Sequence, residues 1–160
     1  MKLPESPDYL NSLQGGWEAL GNGAPTLVAL AQVCAKALIE DVQPSETLSV
    51  EARTILYAAR NRGMIEVRGV NTAFEATARM LAIYIEEDEH RTIAFRNPEK
   101  PQVTVRFFEA FCELCRSGLI LHHLFRDFSL TDRGFQMARQ IDVAEVRDSL
   151  GEATEFGLLD

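Results

Sequence analysis

The stretch Leu114–Arg139, LCRSGLILHHLFRDFSLTDRGFQMAR, constrains this chain more than any other. An apolar helix end meets Gly118, a strand-like run follows, and Arg126-Asp127 mark a turn. A second short run then ends at Thr131, a residue type that caps helices. The pattern predicts antiparallel pairing of Leu119–Phe125 with Phe128–Leu130, with Ile120, Phe128 and Leu130 facing inward. Thr131 should start a helix that runs to about Gln140. Gly118 should occupy a left-handed stop, and Gly134 should allow close packing beneath the hairpin.

Upstream, APTLVALAQVCAKALIED places Leu27, Leu30, Ala31, Cys34, Ala37 and Leu38 on one helical face, with Pro25 in the first turn. LSVEARTILYAARNRG predicts a second helix with Ser49 as N-cap, Glu51 in the first turn and Gly63 as the stop. Its buried face is Val50, Ile55, Leu56 and Ala59. MIEVR is a short strand. TAFEATARMLAIYIEE opens with Thr72 and Glu75 in capping-box spacing, so a helix is expected, with Phe74, Ala78, Leu81 and Ile85 as its stripe. RTIAF is a strand and RNPEKPQ a loop. VTVRFFEAFCELCRSG is helical from Arg106 onward, while its β-branched start could extend a strand. VAEVRDSL is a last acidic helix, and EATEFGLLD is expected to fray.

The implied organisation is an irregular arm over residues 1–23, with Trp17 and Leu20 tucked against the core, a core over 24–141, and an acidic helix and tail over 142–160. LYAARNRGMIEV and FCELCRSGLILH echo each other: helix end, glycine, large apolar residue, isoleucine, strand. The echo allows two sub-units in the core, 24–90 and 91–141.

Charge bounds the partners. The 160 residues carry a net charge of -8, so the chain as a whole repels polyanions. Residues 91–139 differ, with eight basic against five acidic side chains. MKLPESPDYL shows no apolar h-region and no run reaches membrane-spanning length, so neither a signal peptide nor a membrane partner is expected. Three cysteines without framework spacing fit reduced thiols in a cytoplasm.

From about Val103 to Gln140 the chain resembles the winged helix-turn-helix family of bacterial regulators. The likeness lies in CELCRSGLI, in the hairpin to FSLT, and in LTDRG. It implies an α+β, mostly α fold of winged-helix type, or two degenerate winged-helix units in tandem. It also implies that Thr104–Arg116 enters the major groove of duplex DNA and that His122–Phe128 is the wing. The contact residues would be Arg96, Lys100, Arg106, Arg116 and Arg126, with Arg91 and Arg133 able to help. Glu109 and Glu113 on the same helix face depart from a DNA reader, because carboxylates meet phosphates unfavourably.

Chemistry-bearing constellations are weak. Cys112 and Cys115 form CELC near His122 and His123, but adjacent strand residues point to opposite faces, so four ligands do not converge easily. Both cysteines fall on the stripe with Phe108 and Phe111, which predicts buried, metal-free thiols. No Asn or Asp is placed to orient a Cys–His pair. EEDEH lacks the glycine-punctuated ladder of a calcium loop and is expected to be a solvated helix terminus. GGWEALGNG lacks a following Lys-Ser/Thr and is no phosphate loop. Arg60 and Arg62 sit at a helix end, where the macrodipole favours cations.

The sequence therefore points to a non-enzymatic, winged-helix-like binding module without cofactor. Its partner would be duplex DNA or, alternatively, a protein or a second copy of the chain, on a scaffold that does not bind DNA.

Overall fold

A computed structural model describes residues 24–44, 46–70 and 73–157. The expected arm over residues 1–23, with Trp17 and Leu20, lies outside the described residues. The described residues form five α-helices and one six-stranded antiparallel sheet, an α+β architecture.

Helix α1 spans Ala24–Ile39 and α2 spans Val50–Ala58. Strand β1 is Met64–Arg68, and a 3-10 turn at Ala76–Arg79 leads into β2, Ala82–Asp88, and β3, Arg91–Phe95. Helix α3 is Pro101–Arg116, followed by the hairpin of β4, Ile120–His122, and β5, Asp127–Leu130. Helices α4, Asp132–Arg139, and α5, Val143–Leu150, precede β6, Thr154–Gly157.

Local chemistry sets many of these boundaries. Ser49 accepts a hydrogen bond from Ala52 N at 3.1 Å and caps α2. Thr131 Oγ1 accepts from Gly134 N at 3.1 Å and donates to Gly118 O at 3.0 Å, so one hydroxyl caps α4 and ties it to the end of α3. A Cβ on Gly134 would stand 2.5 Å from Leu119 O, which is why only hydrogen fits there. Gly63 and Gly118 lie at φ +70° and +71°, matching the echo between the two helix-to-strand corners. Asp142 caps α5 through Ala144 N at 3.0 Å.

The sheet order is β4-β5-β1-β2-β3-β6. The hairpin is antiparallel, as the sequence predicts, and its register sets Ile120 against Leu130 and His122 against Phe128; β4 ends at His122 rather than at Phe125. Ile65, Val67, Ile83, Ile85, Ile93 and Phe95 face the core with Ile120, Phe128 and Leu130. Helix α3 crosses this face: Phe107 lies 4.7 Å from Phe95 between ring centroids, and Phe111 meets Phe128 edge-on at 5.2 Å. The opposite face carries Met64, Glu66, Arg68, Tyr84 and Glu86, all exposed or half-buried.

Five expectations need correction. Residues 73–87 are not an α-helix. The segment holds the 3-10 turn and β2, Glu75 makes no side-chain cap, Phe74 is fully exposed, and Thr72 lies outside the described residues. The physical reason is that Ile83 and Ile85 alternate with Tyr84 and Glu86 while β1 and β3 supply ladder partners on both sides. Helix α3 starts at Pro101, so VTV is helical: proline occupies a first-turn position, and buried Thr104 accepts from Asn97 N at 3.0 Å. Residues 154–157 are not frayed. They pair with β3, and Thr154 Oγ1 donates to Arg96 O at 2.8 Å. Cys115 is buried but Cys112 is only half-buried, because it lies on the border of the α3 stripe. On α1 the buried positions are Leu30, Cys34 and Ala37, whereas Leu38 is exposed.

Candidate functional site

The turn between β4 and β5 is the least ordinary backbone in the described chain. His123 N donates to Asp127 O at 2.9 Å and Asp127 N donates to Leu124 O at 2.7 Å, closing residues 123–127 into a tight tip. Val67 N donates to Arg126 O at 3.0 Å, which pins the tip to β1. His122 Nε2 donates to Phe125 O at 2.9 Å. Inside this frame Phe125 is held at φ +46°, a left-handed conformation that costs an L-residue about 1–2 kcal/mol. Its ring is 77% exposed, and the neighbouring Leu124 is 68% exposed.

Beside the tip lies a groove of about 820 Å³. Helix α1 supplies Leu27, Val28, Ala31 and Ala35, and the facing wall is Val67 and Phe125. His122, Arg126 and Asp127 form a polar rim. α1 can line a groove and fill the core together because it is apolar on several sides, with Val28 57% exposed while Cys34 is buried.

On the open sheet face a second cavity, of about 410 Å³, is bordered by Glu66, Arg68, Tyr84, Arg96 and Arg126. Arg68 Nη2 donates to Glu66 Oε2 at 2.9 Å, and its guanidinium stacks 4.6 Å from the Tyr84 ring centroid. The hydrogen bond to Glu66 raises the Arg68 pKa above its ordinary value. Arg126 Nε is 4.0 Å from Glu66 Oε1, and Arg96 Nη1 donates to Tyr84 Oη at 3.3 Å.

Of the five contact residues expected from the sequence, Arg96 and Arg126 therefore come together. The other three do not join them. Lys100 is exposed before the first turn of α3, and Arg116 is exposed at its other end. Arg106 bridges Glu51 at 3.2 Å and Glu152 at 2.8 Å on the helical side of the sheet. Helix α3, the expected groove helix, is the central core helix, with Phe107, Phe111, Leu114 and Cys115 fully buried. Glu113 on its polar side accepts from Ser49 N at 3.0 Å and from Ser49 Oγ at 2.7 Å. Arg133 is engaged with Val42 O at 2.9 Å and Asp41 at 3.0 Å.

The acidic and basic runs answer each other. Arg62 pairs with Glu86 at 2.6 Å, and Arg60 lies 3.7 Å from Glu87, so EEDEH belongs to the end of β2 and its turn rather than to a helix terminus. Interaction with the Cys115 thiol lowers the Cys34 pKa, whereas burial raises Cys115 well above the usual thiol range. Among the described residues no group of three or more His, Cys, Asp or Glu is placed to hold a metal ion. No helix of the described residues is long and apolar enough to cross a membrane.

Sequence reasoning missed Glu66, Arg68, Tyr84, Val28 and Phe125 as site residues. A signal existed for two of them, since alternation in MIEVR puts Glu66 and Arg68 on the face opposite Ile65 and Val67. Comparison with protein-family models, with curated proteins and with solved structures gives no match for this chain.

Proposed function

We propose that the protein is a non-enzymatic interaction module on a scaffold of winged-helix type, and that its groove takes the hairpin tip of a second copy. The observation that carries this reading is Phe125, strained, 77% exposed and itself one wall of an apolar groove that Leu27, Val28 and Ala31 line from the other side. Knob and groove have the same chemistry and lie on the same chain, the requirement for a self-complementary two-fold contact. Contiguous exposed apolar surface is a mark of protein association. Duplex DNA is served less well. Arg106 is held by two carboxylates and Glu109 faces solvent from the same helix, so the helix offers no basic face.

The test is sedimentation equilibrium of the full chain over a wide concentration range, with Phe125→Asp and Val28→Asp beside it. The parent should show a monomer–dimer equilibrium. Each variant should weaken it by at least roughly tenfold, about 1.4 kcal/mol. Asp tolerates the left-handed region better than Phe, so the hairpin variant should keep its circular dichroism spectrum. A parent that stays monomeric throughout, or a dimer indifferent to both changes, would remove the proposal.

A further inference from the structure

The open sheet face carries a second feature, distinct in chemistry from the apolar groove. Three guanidiniums, Arg68, Arg96 and Arg126, border one cavity that holds a single carboxylate, Glu66. In a chain of net charge -8 this local excess of two positive charges runs against the whole. Glu66 meets Arg68 at 2.9 Å but reaches Arg126 only at 4.0 Å. Arg96 has a 3.3 Å hydrogen bond to Tyr84 Oη. A guanidinium offers five N–H donors, so Arg96 and Arg126 keep most of theirs for another acceptor.

We infer that this cavity binds the phosphate group of a small phosphomonoester. A phosphomonoester carries about two negative charges at neutral pH, which matches the local excess. Its tetrahedral oxygens accept from several directions, as three separate arginines require. Val70 and Met80 border the same cavity and give the organic part an apolar wall. The cavity volume of about 410 Å³ falls within the range of small-ligand sites. A long polyanion fits worse, because Glu86 and Asp127 flank the arginines on the adjoining part of this sheet face. They would repel an extended backbone, whereas a compact dianion can sit among the guanidiniums.

The experiment is an amide nuclear magnetic resonance titration of the full chain with inorganic phosphate, with glycerol 3-phosphate and with labelled duplex DNA. Ionic strength is held constant with chloride. Glycerol 3-phosphate should shift the amides around Glu66–Val70, Tyr84, Arg96 and Arg126, and should bind more tightly than free phosphate. Arg96→Gln and Arg126→Gln should each weaken binding by about tenfold, the effect of one lost charge-assisted hydrogen bond. Arg116→Gln on α3 should change nothing, and melting midpoints will show that every variant folds. The inference fails if neither phosphate shifts these amides, or if both arginine variants bind as the parent does. Equal binding of free phosphate and the ester would overturn the ester assignment. DNA that displaces the ester from these amides would overturn the small-molecule assignment.

Discussion

Gly118 concentrates several demands on one residue. Its φ of +71° stops α3 and turns the chain into β4, and a Cβ there would stand 3.2 Å from Val42 O. Gly118→Ala should therefore destabilise the protein by about 1 kcal/mol from left-handed strain. Gly118→Val should cost more, since branching adds crowding against the Val42 carbonyl. Thermal unfolding checks both, and an unchanged midpoint for the valine variant would mean that the corner relaxes freely. Gly118 and the Thr131 cap were legible in the sequence because their causes are local: a stop needs positive φ, and a cap needs a hydroxyl three residues before an N–H. Arg106 was not legible. Its partners Glu51 and Glu152 are 55 and 46 positions away, and nothing near Arg106 announces them. The local spacing offered Glu109 as a partner for Arg106, whereas the structure pairs it with Glu51 and Glu152.

Elements were readable where one period dominated. α2, α4 and α5 carry side-chain N-caps; α4 and α5 lie where the sequence places them, and α2 starts at its expected cap but ends at Ala58, ahead of the expected stop at Gly63. Residues 72–87 satisfied two patterns. Phe74, Ala78, Leu81 and Ile85 fit helical spacing, while Ile83 and Ile85 fit alternation, and a short apolar run does not decide between them. The antiparallel partners of β2 decide it, Ile85 with both Ile65 and Ile93. The same dependence on distant elements appears at α3, where Glu113 holds the N-cap of α2 through two hydrogen bonds at 3.0 and 2.7 Å. Glu113→Gln keeps the shape but loses the charge on the acceptor. It should lower stability by about 1–2 kcal/mol, the range of a charge-assisted bond and a weakened cap. Glu113→Ala should cost more, because it leaves Ser49 N without this acceptor. The urea midpoint should fall with an unchanged slope, since the loss is local and the surface exposed on unfolding stays the same.

At the scale of the molecule, the echo between Gly63 and Gly118 is present in the backbone, yet one sheet joins the two halves of the chain. β1 lies between β5 from the second half and β2 from the first, and β2 pairs with β3 across the 90–91 boundary. Residues 24–90 alone would lose Phe107, Phe111 and Leu114 of α3, which are fully buried in the core shared with Ile65, Ile83 and Ile85. Covering side chains of this size contributes about 1.5–3 kcal/mol each, so losing three approaches the whole stability of an ordinary domain, about 5–15 kcal/mol. Residues 91–160 alone would keep α3 but expose Phe128 and Ile93 along strands stripped of β1 and β2. Neither piece should fold cooperatively. The full chain should unfold in a single transition, coincident by near- and far-ultraviolet circular dichroism. A cooperative melt from either isolated piece, or two separated transitions in the full chain, would show that the ladder between β5 and β1 joins two folding units that do not depend on each other.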